Sequence, residues 1–227
     1  MEQIIIKKLN GEEIKLFSTD PVSFVTQATQ DHTLMSTDTV KVSFKSTQSY
    51  TIEIGDKIQI VNDVYTIRTT TTREIVDEEL FIYELTFYGS IYDLLKSQYR
   101  DTDATGKSSN SSFDLTYTLK EFVKVVINNV NRDYPGKWQF DETNCPNTDP
   151  ILMSFSKQNC LNALQTICKE FKYDFYITQS NDIRTIHIGS TNKIITPPGG
   201  KTHFEWGKGS GLYRLALWSE GITSALV

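Results

Sequence analysis

The apolar residues of this chain change period once, and that change limits what it can build. In residues 1–89 they tend to alternate. Val40, Val42 and Phe44 are separated by Lys41, Ser43 and Lys45, which is the period of a half-buried strand. In the second half, Leu119, Phe122, Val123, Val126, Ile127 and Val130 fall at i, i+3, i+4, i+7, i+8 and i+11. That spacing gathers them on one face of an α-helix. A chain that alternates first and turns helical later reads as a β domain followed by a mixed one.

The β half is divided by turn signals. Residues 4–6 and 14–17 flank Asn10-Gly11 and read as a hairpin, because Asn-Gly favours the positive-φ geometry of tight turns. Residues 50–54 read as a further strand. Gly55-Asp56 then turns into Ile58 and Ile60, and Asn62-Asp63 turns into residues 64–72. Residues 80–88 return as a long strand with Phe81, Tyr83, Leu85 and Phe87 on one side. The face carrying Ile82, Glu84, Thr86 and Tyr88 is the wetter one. Many short strands without a long helix suggest a small barrel or sandwich.

Residues 90–97, S-I-Y-D-L-L-K-S, read as a short helix leaving this domain, with Ser90 as its cap. The run R-D-T-D-A-T-G-K-S-S-N-S-S at 100–112 has no apolar period and reads as linker or exposed loop. Thr118-Leu119-Lys120-Glu121 is a capping box. The helix it opens ends near Asp133, before Tyr134-Pro135-Gly136. Short strands follow at 137–140 and 151–155. A second helix is expected over 157–171, capped by Ser156, with Cys160, Leu161, Leu164, Ile167, Cys168 and Phe171 on its apolar face. Strands at 173–178 and 185–188 meet at a turn through Ser180, Asn181 and Asp182. The expected fold class is α+β and β-rich: a small N-terminal β-barrel or sandwich over residues 1–98, a polar linker or loop at 99–115, and an α/β domain of two helices packed on a small sheet over 116–202.

At 227 residues the chain can bury a core in each of two domains. Its net charge of −5 gives no basic excess for nucleic acid or an anionic membrane. No run approaches the ~20 apolar residues of a membrane span, so stable membrane insertion is not expected. The N-terminus M-E-Q-I-I-I-K-K-L has no signal-peptide core, and a soluble product made in the cytoplasm is expected. Cys160 and Cys168 read as buried thiols and Cys145 as a loop residue. No C-x-x-C pair or Cys/His cluster suggests zinc, and no cofactor is expected.

Candidate chemistry is sparse. Gly106-Lys107-Ser108 resembles the end of a phosphate loop, but Asp101 stands where such a loop needs glycine and the flanks are polar. Of the histidines, His32 lies in a polar loop, His187 in a strand and His203 before an aromatic segment; none falls in a metal or nucleophile motif. The carboxylates of Asp77-Glu78-Glu79 read as a hairpin tip, while Asp141-Glu142 and Glu205 read as isolated, so no pair is singled out for glycoside hydrolysis. Trp138, Trp206 and Trp218 could stack on sugars, but aromatics in a β-rich chain more often fill cores or interfaces. Residues 204–215, F-E-W-G-K-G-S-G-L-Y-R-L, carry three glycines around Lys208. No Ser or Thr follows Lys208 and no helical period opens after it. The segment reads as strand, glycine turn, strand, with Gly207, Gly209, Gly211 and Tyr213 as turn or interface residues.

Three segments together resemble one family. They are Gly55-Asp56-Lys57-Ile58 with Tyr65-Thr66-Ile67; Ser154-Phe155 with Cys160-Leu161, Leu164, Ile167-Cys168, Phe171 and Phe175; and Gly207-Lys208-Gly209 with Gly211-Leu212-Tyr213 and Leu215. Their order and spacing resemble the phage baseplate hub, or the N-terminal region of tail-associated lysins, also called the prophage endopeptidase tail family. The resemblance implies a structural, non-enzymatic part of a virion tail tip, assembled in the bacterial host cytoplasm. It implies a homotrimer whose two barrel-like domains per subunit make a pseudo-sixfold ring on the tail tube, with an α/β domain between the barrels. Other tail proteins are the implied partners: a distal tail or tube protein and the tape measure protein. Lytic or receptor-binding chemistry lies in C-terminal domains of relatives. Residues 203–227 are then the incomplete start of a second barrel-like domain. Residues 204–215 are expected to pair with the first domain or to join subunits. The competing readings are a cell-wall peptidase or glycosidase and a carbohydrate-binding adhesion module.

Overall fold

The computed structural model describes residues 3–17, 20–60, 63–77, 80–101, 110–180, 182–189, 215–218 and 221–224. They form two compact units. Residues 1–89 and 204–227 make the first, and residues 90–203 the second.

The first unit is a closed barrel. Its strands are β1 (Gln3–Lys7), β2 (Glu13–Phe17), β3 (Ser23–His32), β4 (Asp38–Ser46), β5 (Lys57–Ile60), β6 (Asp63–Ile67), β7 (Thr72–Asp77) and β8 (Leu80–Tyr88). The order β4-β3-β2-β1-β5-β6-β8 closes through β4–β8, so seven strands make the wall. β7 continues the line of β6 along the same edge of β8. Thr66 and Ile67 face Tyr88 and Phe87, while residues 72–75 face residues 84–81. Closure removes most of the open edges that invite aggregation.

Alternation places the core as expected. Val40, Val42 and Phe44 point inward with Tyr83, Leu85 and Phe87, and Ile6, Leu16, Ile58 and Ile67 complete the packing. Phe44 and Tyr83 stack at 4.5 Å between ring centroids. The β1–β2 turn uses Gly11 at φ 88°, closed by hydrogen bonds from Gly11 N to Lys8 O and from Lys8 N to Glu12 O.

Two readings of this half need correction. Residues 50–53 are not a strand. Side chains take their backbone donors: Tyr50 N donates to the Tyr83 hydroxyl at 2.6 Å and Glu53 N to the Asp56 carboxylate at 2.9 Å. His32, by contrast, is not in a loop: it is the last residue of β3, which pairs with β4 from Ser23 to His32 with a bulge between Val25 and Gln27.

The second unit begins at α1 (Ile91–Lys96), so this helix belongs here and not with the barrel. Its following residues are tied into the unit: Cys160 N donates to Ser97 O, and Tyr99 N to Gln158 O. Ser90 precedes α1 but makes no side-chain cap. β9 (Ser112–Tyr117) pairs antiparallel with β11 (Ile151–Ser156). Residues 112–115, expected in the linker, are therefore strand, and Tyr99 at the linker's start is buried. α2 (Leu119–Asp133) opens with the expected box: Glu121 N donates to Thr118 Oγ1, and the Glu121 carboxylate accepts from Thr118 N at 2.8 Å.

β10 (Trp138–Phe140), β13 (Ile183–Gly189) and β12 (Asp174–Ser180) form a mixed three-stranded sheet, with β10 parallel to β13. α3 (Cys160–Phe171) starts later than expected. Ser156 remains paired in β11, Lys157 takes φ 49°, and Asn159 is the cap, its Oδ1 accepting from Asn162 N at 2.8 Å. α2 packs on β10, α3 on β12, and the two helices on each other. The chain's last described strands, β14 (Leu215–Trp218) and β15 (Gly221–Ser224), form a hairpin, and β15 lies beside β3.

Candidate functional site

The Gly-Asp turn before β5 shows why its residues stand together. Gly55 holds φ 104°, a conformation that side chains disfavour, and Leu9 packs where a Cβ would lie. Asp56 is wholly buried. Its carboxylate accepts from Leu9 N at 3.2 Å and Glu53 N at 2.9 Å, while its carbonyl accepts from Ile67 N at 2.9 Å. One residue thus ties three places: its side chain holds the β1–β2 turn and the segment before β5, and its backbone carbonyl holds the end of β6. The Gly-Asp pair is a clasp of the barrel wall, since a buried carboxylate needs such partners.

Polar side chains gather at the other end of the barrel. His32 Nδ1 lies 3.2 Å from Asp38 Oδ1, which also accepts from the Tyr65 hydroxyl at 2.9 Å. Gln30 Nε2 donates to the Tyr65 oxygen at 2.7 Å. The hydrogen bond to Asp38 holds the imidazole above the ordinary histidine range. Burial, and then the Asp38 charge, push the Tyr65 phenol well up.

The second unit holds another histidine cluster. His187 Nδ1 lies 3.0 Å from Asp141 Oδ2, and Nε2 lies 2.9 Å from Thr178 Oγ1. Tyr176 stacks on the imidazole at 4.6 Å. Hydrogen bonds from Asn144, more than that from His187, hold the Asp141 carboxyl below its usual range. Asp141 is not isolated, as its sequence position suggested, and Glu142 pairs with Lys124 at 2.8 Å. The carboxylate–imidazole–hydroxyl line has the connectivity of a hydrolytic triad. Its hydroxyl, however, is exposed on a strand face. Triad chemistry also needs donors for an oxyanion and walls that exclude water.

The other candidates sort as follows. Trp138, the first residue of β10, is buried, with the Arg184 guanidinium 5.9 Å from its ring, and is not displayed for stacking on a sugar. Cys145 is buried despite its polar neighbours. Burial pushes its thiol up to about 11 and that of Cys160 up to about 12, with Cys168 higher still. None is a thiolate nucleophile near neutral pH. Among the described residues no group of three or more His, Cys, Asp or Glu could hold a metal ion, and no helix is long and apolar enough to cross a membrane. An open depression in the first unit is lined by Lys8, Glu12, Glu13, Ile14, Ser49, Tyr50 and Thr51, a mixed set without a reactive group. Gly106-Lys107-Ser108, Glu78, Glu79, His203, Glu205, Trp206, Gly207, Gly209, Gly211 and Tyr213 lie outside the described residues, as do the side chains of Asp77 and Trp218.

No protein-family model and no curated protein matches the chain. Solved structures do. The chain is similar to a prophage tail protein from Listeria monocytogenes, with a TM-score of 0.57 at 9% identity, over 92% of this chain and 56% of that one. It is also similar to a tail protein from Neisseria meningitidis, with a TM-score of 0.52 at 9% identity, over 81% of this chain and 49% of that one. The chain spans about half the length of each, and what it shares with them is the fold.

Proposed function

We propose that this chain is a structural component of a phage-type tail, of the baseplate-hub kind, joining a tail tube to more distal domains. The observation that carries the reading is the order of parts: a closed barrel followed by an α/β unit, an arrangement shared with two tail proteins over most of this chain. The chemistry agrees with it. The buried Asp56 is used up as a structural clasp, and the hydroxyl of the Thr178–His187–Asp141 line is exposed on an open strand face. In this reading the chain is not an enzyme. It acts as a homotrimer, at the tail tip, with tube, distal tail and tape measure proteins as its neighbours.

Two experiments test it. Gold-labelled antibody against the chain, applied to particles released by prophage induction, is expected at the tail end farthest from the capsid. Label on the capsid, or no label on particles, overturns the tail role. Light scattering of the chain, alone and extended by whatever sequence follows it, is expected to give three copies in at least one form. Strict monomers in both overturn the trimer.

A further inference from the structure

The polar cluster at the β3–β4 end of the barrel joins three strands, β3, β4 and β6, through one carboxylate. Asp38, the first residue of β4, receives His32 from the end of β3 and Tyr65 from β6 on the same oxygen. Its carbonyl accepts from Gly89 N, directly after β8, at 2.8 Å. Its carboxylate also fills the space where a Cβ on Gly89 would lie. Gly89 is the last residue of the first unit before the chain passes to the second. Three carboxylates act on the imidazole: Asp31 from its own strand, Asp38 from β4 and Asp63 from β6. The phenol of Tyr65 reaches the same Asp38 oxygen.

We propose that this end of the barrel is a latch worked by His32. Charged imidazole draws Asp38 in and fixes Tyr65 and the Gly89 backbone. Neutral imidazole leaves three carboxylates uncompensated and slackens them. The geometry supplies the means, because among the described residues His32 is the cation that meets Asp38, while Tyr65 and Gly89 reach it from β6 and from the end of β8.

The sign follows from the direction of two shifts. The His32 value is raised above the ordinary 6.5, mainly by the bond to Asp38. Its contribution is therefore complete below 6.5 and lost as pH rises through the higher folded value. Partial burial, then the Asp38 charge, raise the Asp63 carboxyl above its ordinary 3.8. Its contribution is likewise lost as pH rises through the raised value. Below pH 6.5 the imidazole is charged and the latch is shut; it slackens as pH rises through the raised value.

The test is hydrogen exchange of the Gly89 amide by NMR on the whole chain, corrected for intrinsic rates. Protection is expected to be higher at pH 6 than at a pH above the measured midpoint of the His32 ring, by about fivefold at most, the ceiling for a partly exposed ion pair. Val126 in α2 serves as the internal reference. His32→Gln keeps a hydrogen-bonding side chain without the charge and should abolish the difference. Tyr65→Phe should keep it. A wild type with no pH difference, or a His32→Gln chain that retains one, overturns the latch. If His32→Gln does not fold, the wild type still decides. The His32 ring and the Gly89 amide must titrate with one midpoint, and separate midpoints overturn the proposal.

Discussion

Replacing Asp56 by alanine should loosen the whole barrel while sparing the second unit. The carboxylate is fully buried and accepts two backbone N–H bonds, from Leu9 at 3.2 Å and Glu53 at 2.9 Å. Hydrogen bonds to a charged group contribute about 1.5–3 kcal/mol each, so two give a gross loss of about 3–6 kcal/mol. Removing a buried charge returns part of its desolvation cost. A net loss of about 2–4 kcal/mol is expected. Native-state hydrogen exchange on the intact chain reads this unit by unit. Amides of β4 and β8 should lose protection by about thirty- to a thousand-fold, since 1.4 kcal/mol is tenfold. Amides in α2 should not change. Asp56→Asn keeps the shape but turns an NH2 toward one of the two donors, so it should recover at most one bond. If the barrel amides of Asp56→Ala stay within about threefold of wild type, the clasp carries no load and the argument fails. If α2 loosens equally, the effect is global and the assignment to the barrel is wrong.

Other substitutions probe other steps. Gly89→Ala must push the Asp38 carboxylate aside, an overpacking cost of about 1–3 kcal/mol, read as lost protection in β4 and β8. Thr118→Ala removes the hydroxyl half of the capping box and should cost about 1 kcal/mol in the thermal unfolding of the second unit. The backbone N–H of Thr118 holds the Glu121 carboxyl below its ordinary value. That contribution is present at neutral pH and lost as pH falls through the lowered value, so Glu121→Gln should flatten the acid limb of α2 exchange. The three cysteines, all free and buried, should resist an aromatic disulfide reagent at pH 8 until the chain is unfolded, when all three react. Rapid labelling of any one in the native chain would contradict its burial.

Most of the fold could be read wherever a strand or helix carries its own apolar stripe. β4, β8, α2 and the apolar face of α3 follow directly from period. β3 does not. Its sequence S-F-V-T-Q-A-T-Q-D-H is largely polar, and it is a strand because β4 pairs along its whole length, which is a tertiary cause that local pattern does not carry. Residues 50–53 fail in the opposite sense. Their composition is strand-like, but the Tyr83 hydroxyl and the Asp56 carboxylate take their donors. The start of α3 is hidden in the sequence because Ser156 has the chemistry of a cap, whereas the positive φ of Lys157 breaks the chain there and passes the cap to Asn159. β9 shows the remaining difficulty. Phe113, Leu115 and Tyr117 do alternate, but the polar run before them hides where the strand begins.

The histidine clusters show why site residues are harder to read than elements. Local motifs rely on spacing along the chain, while a sheet assembles residues through register. Ser180 stands opposite Ile183, and the antiparallel ladder then sets Tyr176 opposite His187. That pair, and Thr178 diagonally beside it, could be derived from the turn alone. Asp141 could not. It reaches His187 because β10 runs parallel to β13, with Phe140 beside Ile186, and α3 lies between those two strands in the chain. A carboxylate, an imidazole and a hydroxyl therefore line up as a consequence of one hairpin and one parallel neighbour. Such a line carries catalytic weight only where a cleft and an oxyanion site accompany it. Here its hydroxyl is exposed on a strand face, whereas the barrel and the α/β unit draw on most of the described residues.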